Sequence, residues 1–446
     1  MRFPEAAPTL IELMREADLN ERIPKLVAAG VSPTVGDEYL HWDELRSTPP
    51  AGLSRRDWWL GIKLARASQL RDIPLRAVNG TEFRYALPDA ALELLHWIDI
   101  HAAGEIAVSE AIPDSGERRR YLVSSLMEEA ITSSQLEGAS TTRKEAREMI
   151  RTGRRPRDRD EHMILNNYRA MVELQGVREQ PLTPDIVNAL HRILTENTLN
   201  DPSAAGRPQR PGEARVKVFS PDNQVAHTPP PADQIQARME AMCRFANDDG
   251  HVVFQHPVIR AILLHLWLAY DHPYEDGNGR TARALFYREM LRSGYWLFEY
   301  ISISRLLLRG PAQYARAFLF TESDEYDATY FVLHQLRTIK KAIEEFHGYI
   351  DRKMRETRGL VQRLRSTTLN NRQVALLTHA LGHPDADYTV TTHSTSHRVT
   401  RQSARTDLQA LATQGLLDTR KVGKAVHYVP ARDLAGRIAV LSEGHA

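Results

Sequence analysis

Residues 272–283 read His-Pro-Tyr-Glu-Asp-Gly-Asn-Gly-Arg-Thr-Ala-Arg, and this stretch decides how the rest of the chain is interpreted. The Gly-Asn-Gly run at 277–279 permits a tight turn, and a helix is predicted directly after it, over 281–291. Backbone N–H groups that converge at the positive end of a helix dipole bind anions. The stretch therefore predicts a phosphate-binding loop at a helix N-terminus.

Charged and titratable side chains flank this turn. Arg280 and Arg283 are three positions apart, so both project from one face of the first helical turn, where their planar donors suit phosphate oxygens. Asp276 can hold a Mg²⁺ ion that bridges such phosphates. His272, at the end of the preceding predicted helix, titrates near neutrality and can act as a general base. Together these residues predict nucleotide transfer.

The segment resembles the signature of the Fic family, His-Pro-Phe-x-Asp/Glu-Gly-Asn-Gly-Arg-x-x-Arg. That family has an all-helical fold, and its members mostly transfer AMP from ATP to protein hydroxyl groups. The resemblance, which covers about residues 110–300, implies that His272 deprotonates the target Ser, Thr or Tyr and that Asp276 binds Mg²⁺. The one departure is Tyr274 in place of Phe. Because this aromatic residue normally anchors the loop in the core, its hydroxyl group needs a partner.

The resemblance also assigns the ATP-binding residues. It implies that Gly277, Asn278 and Gly279 hold the α- and β-phosphates. Arg280 and Arg283 would then contact the β- and γ-phosphates. ATP is thus the implied substrate, and Mg²⁺ is the implied cofactor.

A second motif, Ser-Ser-Gln-Leu-Glu-Gly at residues 133–138, fits the inhibitory pattern of the family, Ser/Thr-x-x-x-Glu-Gly/Asn. It implies that Ser133, Glu137 and Gly138 end an inhibitory helix, at about residues 121–138, in which Glu137 bonds Arg283 and fills the space of the γ-phosphate. The motif alone has an ordinary alternative, because a helix-ending Glu before a Gly is usually a solvated residue with a C-cap behind it.

Two further segments border the predicted site. Residues 216–227 alternate apolar and polar positions around a Pro-Asp-Asn turn, which predicts a short hairpin. The family has its flap at this place, a segment that aligns an extended target by strand addition. The run Pro211-Gly212-Glu213-x-Arg215 ahead of it is also similar to the family. By contrast, the five arginines of residues 151–159 are interspersed with Gly153, Pro156 and acidic residues, which predicts a solvated loop rather than a nucleic-acid site.

The chain as a whole predicts a mainly α fold. We expect a helical N-terminal region at 1–110, a Fic-type helical core with a small hairpin at 111–345, a helical linker at 346–369 and a final domain at 370–446. In the final domain, two predicted helices and a hairpin resemble a winged helix-turn-helix domain.

The second helix of this C-terminal domain carries Arg401, Gln402, Ser403 and Arg405 near its start, where such helices contact base edges. Residues 370–446 are therefore a candidate binding site for double-stranded DNA. Winged-helix domains often act as dimers on paired half-sites, which leaves a homodimer open.

Composition limits which partners, cysteine sites and cellular locations the chain can have. In 446 residues, 58 basic and 57 acidic side chains give a net charge of +1, so no global field attracts nucleic acid or membranes. One cysteine, Cys243, excludes an intrachain disulfide and a multi-cysteine metal site and fits a reducing cytoplasm. The longest apolar run, residues 261–270, is too short to span a bilayer. We therefore expect a cytoplasmic protein without a membrane partner.

The sequence thus predicts a Mg²⁺- and ATP-dependent protein adenylyltransferase, inhibited by Glu137, whose partner is a protein that bears a target hydroxyl group. Two alternatives share the same chemistry: removal of AMP, in which Glu137 would orient a water, and transfer of another phosphate-containing group. A third is a DNA-binding regulator whose core senses nucleotide or has lost activity. The presence of His272 argues against the third, because a sensor needs no base.

Overall fold

The fold is mainly α-helical, as predicted, across the residues that the computed structural model describes. These are residues 2–16, 18–45, 49–103, 115–220, 222–248, 254–365, 367–383, 386–422 and 425–443. The chain divides into two compact units, one formed by Met1–Gly104 with Ser124–Ile343 and the other by Glu105–Val123 with Glu344–Ala446. The domain boundaries predicted from the sequence remain predictions.

Most helices belong to the first unit, and two long ones, α5 and α14, extend from one unit into the other. The helices up to α14 are α1 (Leu10–Glu16), α2 (Leu19–Ala28), α3 (Arg55–Ala67), α4 (Asp89–Ala102), α5 (Ser115–Leu136), α6 (Arg143–Thr152), α7 (Arg159–Val177), α8 (Pro184–Thr195), α9 (Ile235–Ala246), α10 (Pro257–Asp271), α11 (Asn278–Arg292), α12 (Ser304–Arg309), α13 (Pro311–Ser323) and α14 (Thr329–Arg365). Short 3₁₀ turns occur at Trp42–Glu44, Pro202–Ala204, Ala232–Gln234 and Trp296–Glu299.

The centre of the first unit is the antiparallel helix pair α10 and α11, against which α7, α8 and α9 pack. Almost every residue of both helices is buried, polar ones included. Helix α10 begins with Pro257 at its first position, where a missing N–H costs nothing, and the ring of His256 accepts the N–H of Val258. A helix that is buried on all sides is held rigidly, so the loop between α10 and α11, residues 272–277, has a fixed position.

The first unit also contains two antiparallel hairpins. One pairs β3 (Val218–Phe219) with β4 (Val225–His227), within the segment predicted as the flap. The other pairs β1 (Arg71–Arg76) with β2 (Glu82–Tyr85), inside the N-terminal region that the sequence predicted as helical only. The missed signal is an alternation: Ile73 and Leu75 are buried between exposed neighbours, and Phe83 is buried between half-buried ones.

The second unit contains α15 (Asn371–Gly382), α16 (Val390–His397), α17 (Arg401–Thr413), the hairpin of β5 (Leu417–Val422) and β6 (Ala425–Pro430), and α18 (Leu434–Glu443). Its core gathers Leu377, Leu408 and Ile438. The sequence predicts the turn of this hairpin at residues 422–424, of which Gly423 and Lys424 lie outside the described residues. Helix α16 was not predicted, because its only buried residue is His393 and its sequence lacks apolar periodicity. The winged-helix assignment stays a prediction.

In the part of the chain described, no helix has both the length and the apolar character needed to cross a membrane.

Candidate functional site

His272 is the residue at which α10 gives way to the loop. Its backbone is left-handed, with φ 46° and ψ 53°, a conformation that non-glycine residues adopt rarely and at a cost. Its N–H donates to the carbonyl group of Leu268 at 2.9 Å, and its own carbonyl accepts from Nη2 of Arg215 at 3.0 Å. These bonds turn the half-buried imidazole toward the cavity described below.

The imidazole of His272 is held in the tautomer that a base requires. Nδ1 lies 3.3 Å from the carbonyl oxygen of Ala269, which can only accept, so Nδ1 carries the proton and Nε2 keeps its lone pair. Burial lowers the pKa of His272 to about 4. The ring is therefore neutral near pH 7.

Arg215 clamps the end of α10 from outside the motif. Its Nη2 donates to the carbonyl groups of both Asp271, at 2.7 Å, and His272, while its Nε donates to Pro230 at 2.7 Å. One guanidinium group thus ties the end of α10 to the segment that carries the predicted flap. In the sequence, the only indication of Arg215 is the similarity of the run at residues 211–215 to the family.

The loop is closed on itself by Asn278. Its Oδ1 accepts from the N–H of Tyr274 at 2.9 Å, and its Nδ2 donates to the carbonyl group of the same residue at 2.8 Å. The predicted need of Tyr274 for a partner is met, because its buried hydroxyl group donates to Oδ1 of Asn188 at 2.7 Å. The side chain of Asn278 therefore holds the loop in place.

A buried histidine supports the loop from α8. The ring of His191 stacks on Tyr274 with centroids 3.6 Å apart. Its Nδ1 accepts from the N–H of Gly206 at 2.9 Å, so Nε2 bears the proton and donates to the carbonyl oxygen of Asp276 at 2.8 Å. Burial lowers the pKa of His191 to about 4, which keeps this tautomer uncharged. No sequence motif indicated His191.

The predicted anion site is the first turn of α11. Gly277 has φ 83°, and a Cβ atom there would lie 2.7 Å from Thr195, so only glycine fits. The first intrahelical donor is Thr281, which bonds Gly277. Within the described part of the chain nothing accepts from the N–H groups of residues 278–280, so they are left for a ligand. Arg280 is fully buried and donates through Nη1 to Leu194 at 2.9 Å, while its Nε and Nη2 have no hydrogen-bond partner among the described residues.

The second arginine of the motif is bound by residues at and just after the end of α5. The guanidinium group of Arg283 donates to Oγ of Ser133 at 2.9 Å, to the carbonyl group of Ser133 at 3.0 Å and to Oε1 of Glu137 at 2.8 Å. Burial opposes the charge on this group, but the Glu137 carboxylate outweighs it and raises the pKa of Arg283. The arginine side chain is 2% exposed and the glutamate side chain 26%.

Glu137 also lies against the first turn of α11, because a Cβ atom on Gly279 would collide with its carboxylate. Helix α5 ends at Leu136, and Gly138 follows with φ 96°, a left-handed turn that favours glycine. Gly138 therefore lets the chain turn away just after Glu137 has entered the site. The carboxylate of Glu137 thus lies at the predicted anion site, between Arg283 and Gly279.

Asp276 stands at the other edge of the loop. Its Oδ1 accepts from the N–H of Gly277 at 2.6 Å, and its Oδ2 lies 2.9 Å from Nη2 of Arg159 and 3.5 Å from Nη2 of Arg280. Among the residues with a described position, no three His, Cys, Asp or Glu side chains converge on a metal site. Mg²⁺, however, is usually bound by one or two carboxylates together with substrate phosphates, and a single third-exposed aspartate beside an anion site fits that donor set.

These groups border a cavity of about 250 Å³. Its floor is formed by Glu137, His272, Gly279 and Arg283, and its wall by the flap and α13. His227 of β4 links the flap to both neighbouring helices. Its Nε2 lies 2.7 Å from the carbonyl oxygen of Tyr270 in α10, and its Nδ1 lies 3.0 Å from Oε2 of Glu322 in α13. The remaining lining is mostly apolar: Phe3, Val218, Phe219, Ser220, Ala226, Ala269, Tyr314, Ala315, Phe318 and Leu319.

The structure brings most of the predicted site residues together. His272 and Arg283 share the cavity with Glu137, Ser133 binds Arg283, and Asp276 and Arg280 lie together at the adjoining edge of the loop. The sequence gives no sign of the role of Arg159 at this site, because its arginine run predicts a solvated loop. The loop at 153–158 is indeed largely exposed, but Arg159, the residue that follows it, contacts the motif.

Comparison with known proteins agrees with this geometry. Residues 181–290 match the model of the Fic/DOC family. The chain is 40% identical over 76 residues to the protein adenylyltransferase Fic of Drosophila erecta, a match that covers 16% of this chain and 15% of that protein. It is 31% identical over 119 residues to the protein of the same name from Nematostella vectensis, covering 26% and 25%. The chain thus matches a quarter or less of the length of these curated relatives.

Among solved structures, a Fic family protein from Desulfovibrio desulfuricans G20 is similar with a TM-score of 0.53 and 17% sequence identity. The similarity covers 77% of this chain and 96% of that protein. At this identity it shows a shared fold.

Proposed function

Because the chain is a Fic-family protein, we propose that it transfers AMP from ATP to a Ser, Thr or Tyr hydroxyl group of another protein. The observation that carries the proposal is the shared cavity of His272 and Arg283, beside a helix N-terminus with unused N–H groups. A neutral base, an anion site and two buried arginines are the groups that nucleotidyl transfer needs. The relatives named above support this choice over other phosphate chemistry.

In this reaction the target hydroxyl oxygen attacks the α-phosphorus of ATP. Its proton moves to Nε2 of His272, the new oxygen–phosphorus bond forms, and the bond between the α-phosphorus and pyrophosphate breaks in line with it. The N–H groups of residues 278–280 and the guanidinium groups of Arg280 and Arg283 hold the phosphates and stabilise the departing charge. Asp276 would hold Mg²⁺, which neutralises phosphate charge when bound.

We further propose that Glu137 inhibits this reaction in the resting protein. Its carboxylate bonds Arg283 and lies against Gly279, so it occupies the place of a phosphate group and adds a negative charge that repels the incoming triphosphate. The geometry supports an inhibitory role over the alternative of a solvated helix end, because a solvated glutamate would not be bound to a buried arginine.

Intact-mass analysis tests the reaction type. Incubation of the Glu137→Gly variant with Mg²⁺-ATP and a cell lysate is expected to add one adenylyl group to itself or to a lysate protein. Removal of AMP from a previously modified protein, without any gain, would favour the reverse reaction. Reversible nucleotide binding without a covalent product would favour a nucleotide sensor.

The pH profile of transfer depends on the state of His272. Because burial lowers its pKa to about 4, the base stays neutral as the pH falls from 8 to about 5.5. We expect kcat/KM of the Glu137→Gly variant for ATP to stay flat over this range and to fall only below about pH 5, since kcat/KM reports the free enzyme. Near-UV circular dichroism at each pH checks that the chain stays folded. Half-maximal activity at about 6.5, the ordinary pKa of histidine, would contradict the assignment.

We also propose a weak DNA-binding function for the second unit. Arg401, Gln402 and Arg405 are exposed at the start of α17, where no acidic side chain pairs with them in the described residues. The full chain is expected to bind mixed-sequence duplex with an affinity that falls as salt rises. The double variant Arg401→Ala, Arg405→Ala should reduce the salt slope by up to about two, roughly one for each phosphate contact. The exposed Arg432→Ala serves as control, and binding unaffected by salt would exclude this function.

A further inference from the structure

The metal ligand of the site is already paired with a cation from this chain. One oxygen of Asp276, Oδ1, accepts the N–H of Gly277, and the other, Oδ2, receives Nη2 of Arg159 at 2.9 Å. Arg159 is the first residue of α7, and its Nε donates to the carbonyl group of Thr198 at 2.8 Å. These two hydrogen bonds fix the guanidinium group over the oxygen that a metal ion would need.

The resting site is therefore filled at both of its charged positions. Glu137 supplies a carboxylate where the arginines would receive phosphate, and Arg159 supplies a guanidinium group where Asp276 would receive a cation. We propose that Arg159 substitutes for Mg²⁺ in the nucleotide-free protein and competes with the metal for Asp276. The proposal rests on the function proposed above and adds a second residue that controls loading of the site.

The competition follows from charge and space. Mg²⁺ requires oxygen ligands at about 2.0–2.1 Å in a near-octahedral arrangement, which leaves no room for a guanidinium group on the same lone pairs. Arg280 already lies 3.5 Å from Oδ2, so a metal ion would face two positive neighbours unless Arg159 withdrew. Its side chain is 57% exposed, so Arg159 can turn into solvent. The carbonyl group of Thr198 would then be hydrated.

Arg159 also has a role when Mg²⁺ is scarce. A bare carboxylate beside the anion site would repel a triphosphate, and Arg159 neutralises it. Loss of the arginine should therefore weaken metal-free nucleotide binding while it makes Mg²⁺ binding easier. Loss of a residue that only contacts phosphate would weaken both metal-free nucleotide binding and Mg²⁺ binding. Loss of a residue that only stabilises the loop would change these two affinities in the same direction.

Equilibrium binding of a fluorescent ATP analogue tests this, because it needs no transfer. All proteins carry Glu137→Gly so that the γ-phosphate position is open, and Mg²⁺ is titrated from an EDTA baseline. With Arg159→Gln the half-saturating Mg²⁺ concentration is expected to fall about twofold to fivefold, the size of effect that removal of an exposed ion pair gives. The affinity for the nucleotide without metal is expected to weaken. Arg159→Lys keeps a competing cation and should stay near the background value. Arg157→Gln, at an exposed arginine of the loop that precedes α7, should do the same.

An unchanged half-saturating Mg²⁺ concentration in Arg159→Gln would overturn the proposal. So would equal weakening of binding with and without the metal, which would identify Arg159 as a phosphate ligand. Absence of covalent transfer by the Glu137→Gly background would instead refute the proposed function and leave the Mg²⁺ titration unaffected. If that background bound no nucleotide under any condition, both proposals would fall.

Discussion

Glu137→Gly should turn a nearly inactive protein into an active transferase. We expect modification of itself or of a target to rise on the order of tenfold to a hundredfold, which corresponds to about 1.4–2.8 kcal/mol of released inhibition. The carboxylate of Glu137 bonds Arg283 at 2.8 Å and lies against the first turn of α11. Its removal frees both the arginine and the space for the γ-phosphate. Incorporation of labelled AMP, measured at matched protein concentration, checks the result.

Activation is expected even though the change breaks a partly buried ion pair. Removal of one partner from such a pair usually leaves an uncompensated charge at a cost of several kcal/mol. Here Arg283 keeps its two hydrogen bonds to Ser133, and the γ-phosphate of ATP can replace the lost carboxylate. Since α5 ends at Leu136, a glycine at position 137 does not interrupt the helix.

Three variants separate inhibition from a general loosening of the helix end. Gln135→Gly introduces a glycine in the last turn of α5 without touching Arg283, and it should stay as inactive as the parent. Arg283→Ala removes the inhibitory contact together with a phosphate ligand, so it should not activate, and combined with Glu137→Gly it should leave almost no transfer. Equal activity of the parent and Glu137→Gly would show that Glu137 is an ordinary helix-end residue, and the inhibitory assignment would be withdrawn.

The central part of this site could be predicted because its residues are contiguous. A turn, a helix N-terminus and their charged side chains all lie within residues 272–283, and local geometry brings them together. A glycine turn that leads into a helix could be predicted here before any family was considered, because Gly277 permits the turn and the helix follows it directly. The helix begins at Asn278, three residues before the predicted start at 281. The mainly α fold likewise follows from helical periodicity.

The residues that escaped prediction reach the loop from distant parts of the chain. Arg159 is 117 positions from Asp276, His191 is 85 positions from it, and Arg215 is 57 positions from His272. Nothing in one sequence states which solvent-exposed arginine will face an aspartate on another element. Such contacts depend on how α7 and α8 pack against α11, and packing is set by the whole core rather than by a local pattern.

His272→Ala is expected to abolish transfer and to leave nucleotide binding largely intact. General-base catalysis contributes typically about 10²–10⁴-fold, so the rate in the Glu137→Gly background should fall by that order. Binding should persist, because the N–H groups of residues 278–280 and the two motif arginines are untouched. Single-turnover transfer of labelled AMP measures the first effect, and equilibrium binding of the same nucleotide measures the second.

The backbone at this position requires a second variant. His272 has φ 46°, and its ring lies 3.3 Å from the carbonyl oxygen of Ala269, so alanine could shift the loop as well as remove the base. Asparagine tolerates the left-handed conformation better than alanine and can still donate to that carbonyl group, but it cannot accept a proton near neutral pH. If loop geometry alone mattered, His272→Asn would keep much of the activity. If His272 is the base, both variants should lose transfer alike, and retention of more than about a tenth of the rate by either would contradict its role.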